Sequence, residues 1–298
     1  MPARAAPQSQ TSVKKPVKTT IALVYDFDGT LSPSNMQEYT VLPKLGIAPD
    51  VFWARVREEA QARQAEQILT YMRIMFEEVE RRDDLVVKRE DLKAMAGAIE
   101  LFPGVHDWFE RIAAHVDARS HGVAEVRHYI ISSGLKEILE GVPIFPAFAN
   151  VFACTYHYDK HGRAVFPDRV VNDTSKTQYL FRINKGVEDL NQSANDHMPE
   201  AERPIPFKNM IYFGDGDTDV PSFTVTRKNG GHAVAVYNGD AENAPERLGK
   251  CRDLFAEERI DFFAAADYRA GSDLERGARL ILDKVVAGIL LDKEIAQL

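Results

Sequence analysis

Four runs of this chain are apolar almost without a break: IALVYDFD (21–28), VRHYIISS (126–133), NMIYFGD (209–215) and HAVAVY (232–237). Such runs lack the polar alternation of a half-solvated sheet and predict strands covered on both faces, as in a parallel sheet flanked by helices. A further β-rich run, NVFACTYHYD (150–159), leads through DKHGR into AVFPDRVV and predicts a strand that turns back as a hairpin. Helical patterns lie between the runs. In GVHDWFERIAAHV (104–116), Val105, Trp108, Ile112 and Val116 share one face behind Pro103, and SKTQYLFRIN (175–184) is a second such pattern. Strands alternating with helices predict an α/β fold built on a parallel sheet.

Residues 33–100 interrupt that alternation. No Gly or Pro occurs between Asp50 and Asp84, and Phe52, Val56, Leu69, Met72, Phe76 and Val79 recur at helical spacing, followed by Leu92, Met95 and Ile99. Seventy residues are too many for a simple crossover, so a small helical domain is expected between the first and second strands. Its Met and aromatic stripe is the packing seam of that domain. The expected organisation is a flexible tail at 1–18, a catalytic core from 19–32 and 101–298, and a helical cap at 33–100. Residues 186–206 predict a surface loop with at most a helical turn. The last helix, around LERGARLILDKVVAGILL, is amphipathic and predicted to close the core.

Charge narrows the partners. The 298 residues carry a net charge of −8. The first twenty hold Arg4, Lys14, Lys15 and Lys18 and no acid, leaving the remainder four charges more negative than the whole. An acidic body argues against nucleic acid or an anionic membrane as partner, although a local cation can still recruit a small anion. No apolar run approaches the length of a membrane span, and the polar N-terminus has no signal-peptide core, so a cytoplasmic protein is expected. Cys154 and Cys251 stand far apart in no ligand pattern and are expected to serve packing. The eight histidines show no metal-ligand spacing.

The chemistry sits where apolar runs end in acids. The first ends in Asp26 and Asp28; the run beginning at Met210 ends in Asp215, followed by Asp217 and Asp219. Parallel strands present their carboxyl ends on one edge, where ligands bind. If these two strands are neighbours, Asp26, Asp28, Asp215 and Asp219 converge on that edge. Carboxylates so close repel one another unless a cation offsets them, and an all-oxygen cluster suits Mg²⁺. A calcium loop of the EF-hand kind is excluded, because its twelfth position, counted from Asp215, is Thr226 rather than Glu. The second run ends in Ser132, Ser133 and Gly134, whose hydroxyl and backbone N–H groups suit phosphoryl oxygens. Lys176 starts a helix, where a cation opposes the helix dipole unless an anion lies nearby.

In that order these segments resemble the four motifs of the haloacid-dehalogenase-like hydrolase superfamily: DFDGT first, the strand ending at Ser132 second, Lys176 third and GDGDTD fourth. The helical insertion resembles the cap of its phosphoserine-phosphatase-like members. The likeness covers about residues 19–32 and 101–240 and implies a Rossmann-like parallel sheet. It implies that Asp26 is a nucleophile forming an aspartyl-phosphate, and that Asp28 is the general acid and base. Asp26, the backbone carbonyl of Asp28 and Asp215 would hold Mg²⁺, with Asp219 supporting the metal's water shell or Lys176. Ser132, or Ser133 one position on, would bind the phosphoryl group with Lys176. Gly29 would let the backbone approach the phosphate, and Thr30 would brace the turn.

An acid two residues after the nucleophile separates the phosphatases of this superfamily from its dehalogenases, which lack it. The DKTGT loop of the P-type ATPases is absent here. The resemblance therefore implies a Mg²⁺-dependent phosphomonoesterase acting on a small phosphorylated metabolite. A phosphotransferase or mutase using the same intermediate, and a non-catalytic binding protein of the same fold, are the alternatives. The cap would select the substrate, with Glu38, Arg55 and Arg57 as candidate contacts.

Overall fold

The computed structural model describes residues 18–82 and 87–298. All of the expected tail but Lys18 lies outside them, as do positions 83 and 84 of the long helical pattern and the side chain of Asp217. Seven strands form one sheet: β1 (Thr19–Tyr25), β2 (Ala124–Leu135), β3 (Phe148–Tyr158), β4 (Ala164–Arg169), β5 (Met210–Gly214), β6 (His232–Tyr237) and β7 (Phe262–Ala265). Their order is β4-β3-β2-β1-β5-β6-β7. Every neighbouring pair is parallel except β3 and β4, which form the expected hairpin. The fold is thus the α/β arrangement read from the apolar runs, with the Rossmann-like sheet that the resemblance implies.

The chain leaves β1 towards β2 and β3, then returns to lay β5, β6 and β7 on its other side. β1 therefore lies at the point where strand order reverses, and in sheets of this kind ligands bind at the carboxyl ends there. Tyr25 of β1 faces Phe213 of β5 in register, and their rings stack at 4.9 Å. The Asp26 amide prolongs the ladder by donating to the Phe213 carbonyl at 2.9 Å. Those two pairings bring the two acidic strand ends side by side.

Between β1 and β2 the chain is helical: α1 (Met36–Tyr39), α2 (Val41–Leu45), α3 (Pro49–Arg63), α4 (Gln67–Glu80) and α5 (Arg89–Met95). The long Gly- and Pro-free stretch is two helices, because Gln64 takes a left-handed conformation at φ 52° and Glu66 restarts the helix by capping the Leu69 amide. That break resets the helical phase. Phe52, Val56 and Met72 are buried as the spacing predicts, but Leu69 points outward and is 43% exposed. Two tyrosines tie these helices to the sheet: Tyr71 donates to the Ser133 carbonyl at 2.8 Å, and Tyr156 of β3 donates to the Met72 carbonyl at 2.7 Å.

Beyond the insertion come α6 (Val105–Arg119), α7 (Lys136–Leu139), α8 (Lys176–Lys185), α9 (Val220–Lys228), α10 (Ala244–Ala256) and α11 (Asp273–Ile295). Val105, Trp108, Ile112 and Val116 of α6 are all buried, and Trp108 donates its indole N–H to Tyr25 Oη at 2.9 Å. Helix α11 closes the core through Leu274, Ala278, Leu282, Val286 and Ile289 and pairs its Glu275 with Arg111 of α6. Residues 186–206 form the expected loop, with a single 3₁₀ turn at Glu200–Glu202. Cys154 and Cys251 are free and buried. Among the described residues no helix is long and apolar enough to cross a membrane.

Candidate active site

Each acid is placed by a short backbone device at a strand end. After β1 the chain makes a tight turn in which the amides of Thr30, Leu31 and Ser32 all converge on the Phe27 carbonyl, while Gly29 donates to Ser32 O at 2.7 Å. Gly29 has φ +80°, and a Cβ there would fall 2.2 Å from Asp215 Oδ2. The glycine is required twice, for its conformation and for the closeness of Asp215. Gly29→Ala is expected to push the Asp215 carboxylate aside and cut activity at this site on the order of a hundredfold, measured against the thermal midpoint of the same variant. The Thr30 carbonyl accepts from Tyr268 Oη at 2.8 Å, whereas its buried hydroxyl has no partner.

Lys176, the first residue of α8, is 1% exposed. Its Nζ lies 3.0 Å from Asp26 Oδ1 and 2.7 Å from Asp219 Oδ1. The anion that a lysine at a helix start demands is therefore a pair of buried carboxylates. Asp219 is fully engaged: Oδ1 also accepts from Tyr212 Oη at 2.7 Å, and Oδ2 accepts from the Asp215 amide at 3.1 Å. Its contacts support Lys176 and the turn after β5. Carboxylate oxygens of Asp26, Asp215 and Asp219 lie within 4.8 Å of one another.

Asp28 faces the insertion. Its Oδ1 accepts from the Met36 amide at 2.8 Å. Gly134 lies beside it, for a Cβ on that glycine would fall 3.1 Å from Asp28 Oδ2 and 2.1 Å from Met36 Cε. Ser132, wholly buried, accepts the Gly134 amide on its Oγ at 2.9 Å, and Ser133 presents its carbonyl to Tyr71. The end of β2 thus packs against the general region of Asp28, while Lys176, Asp215 and Asp219 gather around Asp26.

Burial sets the protonation of these acids. Asp26 is pushed up to about 7, chiefly by desolvation, with Lys176 pulling down and the Asp219 and Asp215 charges pushing up. Asp215 rises to about 6, again through desolvation first and then the Asp219 charge, opposed by Arg247 and Lys176. Asp28 is raised well above the usual carboxylate range by desolvation and then by the Asp26 charge. Lys176 is held well above its ordinary value by Asp219 and Asp26, which outweigh its desolvation.

An acid raised in the folded state carries a penalty that is absent below its unfolded pKa. For Asp26 that penalty grows as pH rises from about 4 to about 7. In chelator, wild-type protein is therefore expected to lose about 5 °C of thermal midpoint relative to Asp26→Asn between pH 5 and pH 8. His128, which burial pushes down to about 3, acts in the opposite sense but cancels in this comparison. A scanning calorimetry series in EDTA checks it; a difference independent of pH contradicts it.

The donor set fits a hard divalent cation. It is all oxygen, sits at the carboxyl ends of β1 and β5, and carries more acids than the cations that the salt bridges pair with them. With Asp219 occupied, Asp26 and Asp215 are the side chains left to hold such an ion.

Two of the three cap candidates have partners within the insertion. Glu38 accepts from Asn35 Nδ2 at 2.6 Å and Trp53 Nε1 at 2.8 Å, both on Oε1. Arg55 is paired with Glu59 and Glu78 between α3 and α4, and Arg57 is exposed. Three site residues escaped the sequence. Tyr212 carried a signal, since a tyrosine in a fully buried strand needs a partner for its hydroxyl. Arg247 of α10, 3.3 Å from Asp215 Oδ2, and Tyr71 carried none.

A parallel sheet with buried acids and a lysine at its switch point defines an α/β protein equipped for charge-stabilised chemistry. The model of the haloacid dehalogenase-like hydrolase family matches residues 23–224, and the chain belongs to that family. An uncharacterized protein of Borreliella burgdorferi is 29% identical over 285 residues, covering 85% of this chain and 93% of the relative. Among solved structures, a HAD family hydrolase from Salmonella enterica serovar Typhi is similar at TM-score 0.53 and 15% identity, over 83% of this chain and 67% of that one. A phosphoserine phosphatase, captured as an analogue of its phospho-aspartyl intermediate, is similar at TM-score 0.51 and 14% identity, over 87% of this chain and 97% of that one. At those identities the two structures support the fold.

Proposed function

We propose that this protein is a Mg²⁺-dependent phosphomonoester hydrolase working through an aspartyl-phosphate on Asp26. The observation that carries this reading is the buried Lys176 ammonium bridging Asp26 and Asp219 beside Asp215. Such a lysine holds the attacking carboxylate in place and presents positive charge where phosphoryl oxygens arrive. Asp26, Asp215 and the Asp28 carbonyl would hold Mg²⁺, which supplies charge stabilisation to the phosphoryl group.

In the first half-reaction an Asp26 oxygen forms a bond to phosphorus as the ester P–O bond breaks. Asp28 gives its proton to the departing alkoxide; its position under the insertion and its raised pKa suit it to that step. In the second, Asp28 takes a proton from a water whose oxygen attacks phosphorus. The Asp26–phosphorus bond breaks, releasing inorganic phosphate and restoring the carboxylate. Ser132 and Lys176 would bind the phosphoryl oxygens, and Gly29, Ser133 and Gly134 would supply close backbone.

Only small substrates suit a site in which Asp26 is 5% and Lys176 1% exposed. The helical insertion would act as the cap that opens to admit them, hinging on contacts such as the Tyr71–Ser133 hydrogen bond. The net charge of −8 argues against nucleic acid. A screen of phosphorylated metabolites with and without Mg²⁺ tests the proposal. Mg²⁺-dependent release of free phosphate supports it; transfer to an added alcohol in place of release assigns a phosphotransferase, and inertness across the panel removes the proposal.

A further inference from the structure

We infer that Arg247 is a displaceable counter-cation of Asp215 that weakens, and so tunes, the loading of a divalent cation; this rests on reading the site as metal-dependent. Helix α10 joins β6 to β7, whereas the insertion joins β1 to β2 on the other side of β1. Arg247 therefore reaches the site from the flank opposite the insertion. A substrate's leaving group would lie under the insertion, so this guanidinium faces the metal side.

Two further contacts define its action. Arg247 Nε donates to Asn243 Oδ1 at 3.3 Å one turn earlier, which aims Nη1 at Asp215 Oδ2, also at 3.3 Å. That single long contact is weaker than a bidentate pair. The Arg247 side chain is 34% exposed against 1% for Lys176, so the arginine can swing into solvent while the lysine cannot. Asp215 does not depend on Arg247 for its place. Its amide is bonded to Asp219 Oδ2, and its carboxylate packs directly on Gly29. Removing Arg247 changes the charge at Asp215 more than its position.

The formal charges make the consequence explicit. Lys176 is paired with Asp26 and Asp219, and Arg247 with Asp215. Without Arg247 the divalent ion enters a site one charge more negative and binds more tightly. Arg247 thus sets the Mg²⁺ concentration at which the site fills.

Calorimetric titration of Mg²⁺ into chelator-stripped, full-length protein tests this directly. Arg247→Gln and Arg247→Met are expected to lower the Mg²⁺ Kd roughly tenfold, Arg247→Lys to stay near wild type, and Arg252→Gln, an exposed arginine on the same helix, to leave it unchanged. Unchanged or weaker Mg²⁺ binding in both neutral variants overturns the inference while leaving the proposed function standing. A wild-type protein that takes up no Mg²⁺ overturns both.

Discussion

Asp26→Asn is expected to abolish turnover: on the proposed mechanism phosphate release falls by at least about a thousandfold, because the amide cannot form the acyl-phosphate bond on which the double displacement depends. The variant keeps its fold. Asp26 is 5% exposed and its charge is opposed by desolvation and by two neighbouring acids, so a neutral isostere relieves repulsion in the metal-free protein. Lys176 retains Asp219 as its partner at 2.7 Å. A dead enzyme with an undiminished thermal midpoint in chelator is the expected signature. Activity within a few fold of wild type would remove Asp26 from the chemistry altogether.

The second large effect is on Lys176. Replacing it with Met strips the cation from between Asp26 and Asp219, both nearly inaccessible to water. Breaking a buried pair in this way costs about 3–5 kcal/mol, since the remaining charges are left uncompensated. Denaturant titration at pH 8 measures that loss. It shrinks at pH 5, where Asp26, pushed up to about 7 chiefly by burial, takes up a proton instead of standing charged. The double variant Lys176→Met with Asp219→Asn should regain about half of the stability, because the Asn oxygen keeps the Asp215 amide while its NH2 donates to Tyr212 Oη, and only one acid remains unpaired. It should regain no activity, because the phosphoryl-facing cation is still missing. A Lys176→Met protein as stable and as active as wild type would show that the bridge does neither job.

The edge of the sheet was legible because two signals coincide there. A fully buried strand must end where its residues turn polar, and both β1 and β5 end in aspartates that no packing argument explains. Their adjacency, from Tyr25 opposite Phe213, follows from the order in which a parallel sheet with one reversal is filled. Lys176 was marked by a conflict, a cation at a helix start, that the carboxylates resolve. Arg247 had no such mark. It sits at an ordinary helix-surface position beyond the matched family region, and only the packing of α10 beside β6 and β7 brings it to Asp215.

The insertion was legible in kind but not in detail. Its helices follow from spacing, yet a left-handed residue at Gln64 divides the Gly- and Pro-free stretch into two helices, and Leu69 is exposed. Arg55 stands in the sequence as a candidate substrate contact. In space it meets Glu78, twenty-three residues away, through the packing of α3 on α4. Strand β7 is the opposite case: FFAA is four residues long, too short to show a period, and is held by pairing with β6. Helix α10 buries only Cys251 and Leu254, too few to display an apolar face.

The central claim is a covalent bond between Asp26 and phosphorus, and one measurement addresses it. Asp28→Asn is given an aryl phosphate, whose leaving group departs without a proton, in the presence of Mg²⁺, then quenched in acid and digested for mass spectrometry. With the base for the second step removed, the account predicts one phosphoryl group on the peptide containing Asp26, absent in chelator and absent when Asp26 is Asn. Mg²⁺-dependent release of phosphate by the wild-type protein, with no phosphoryl group on that peptide in Asp28→Asn, would contradict it.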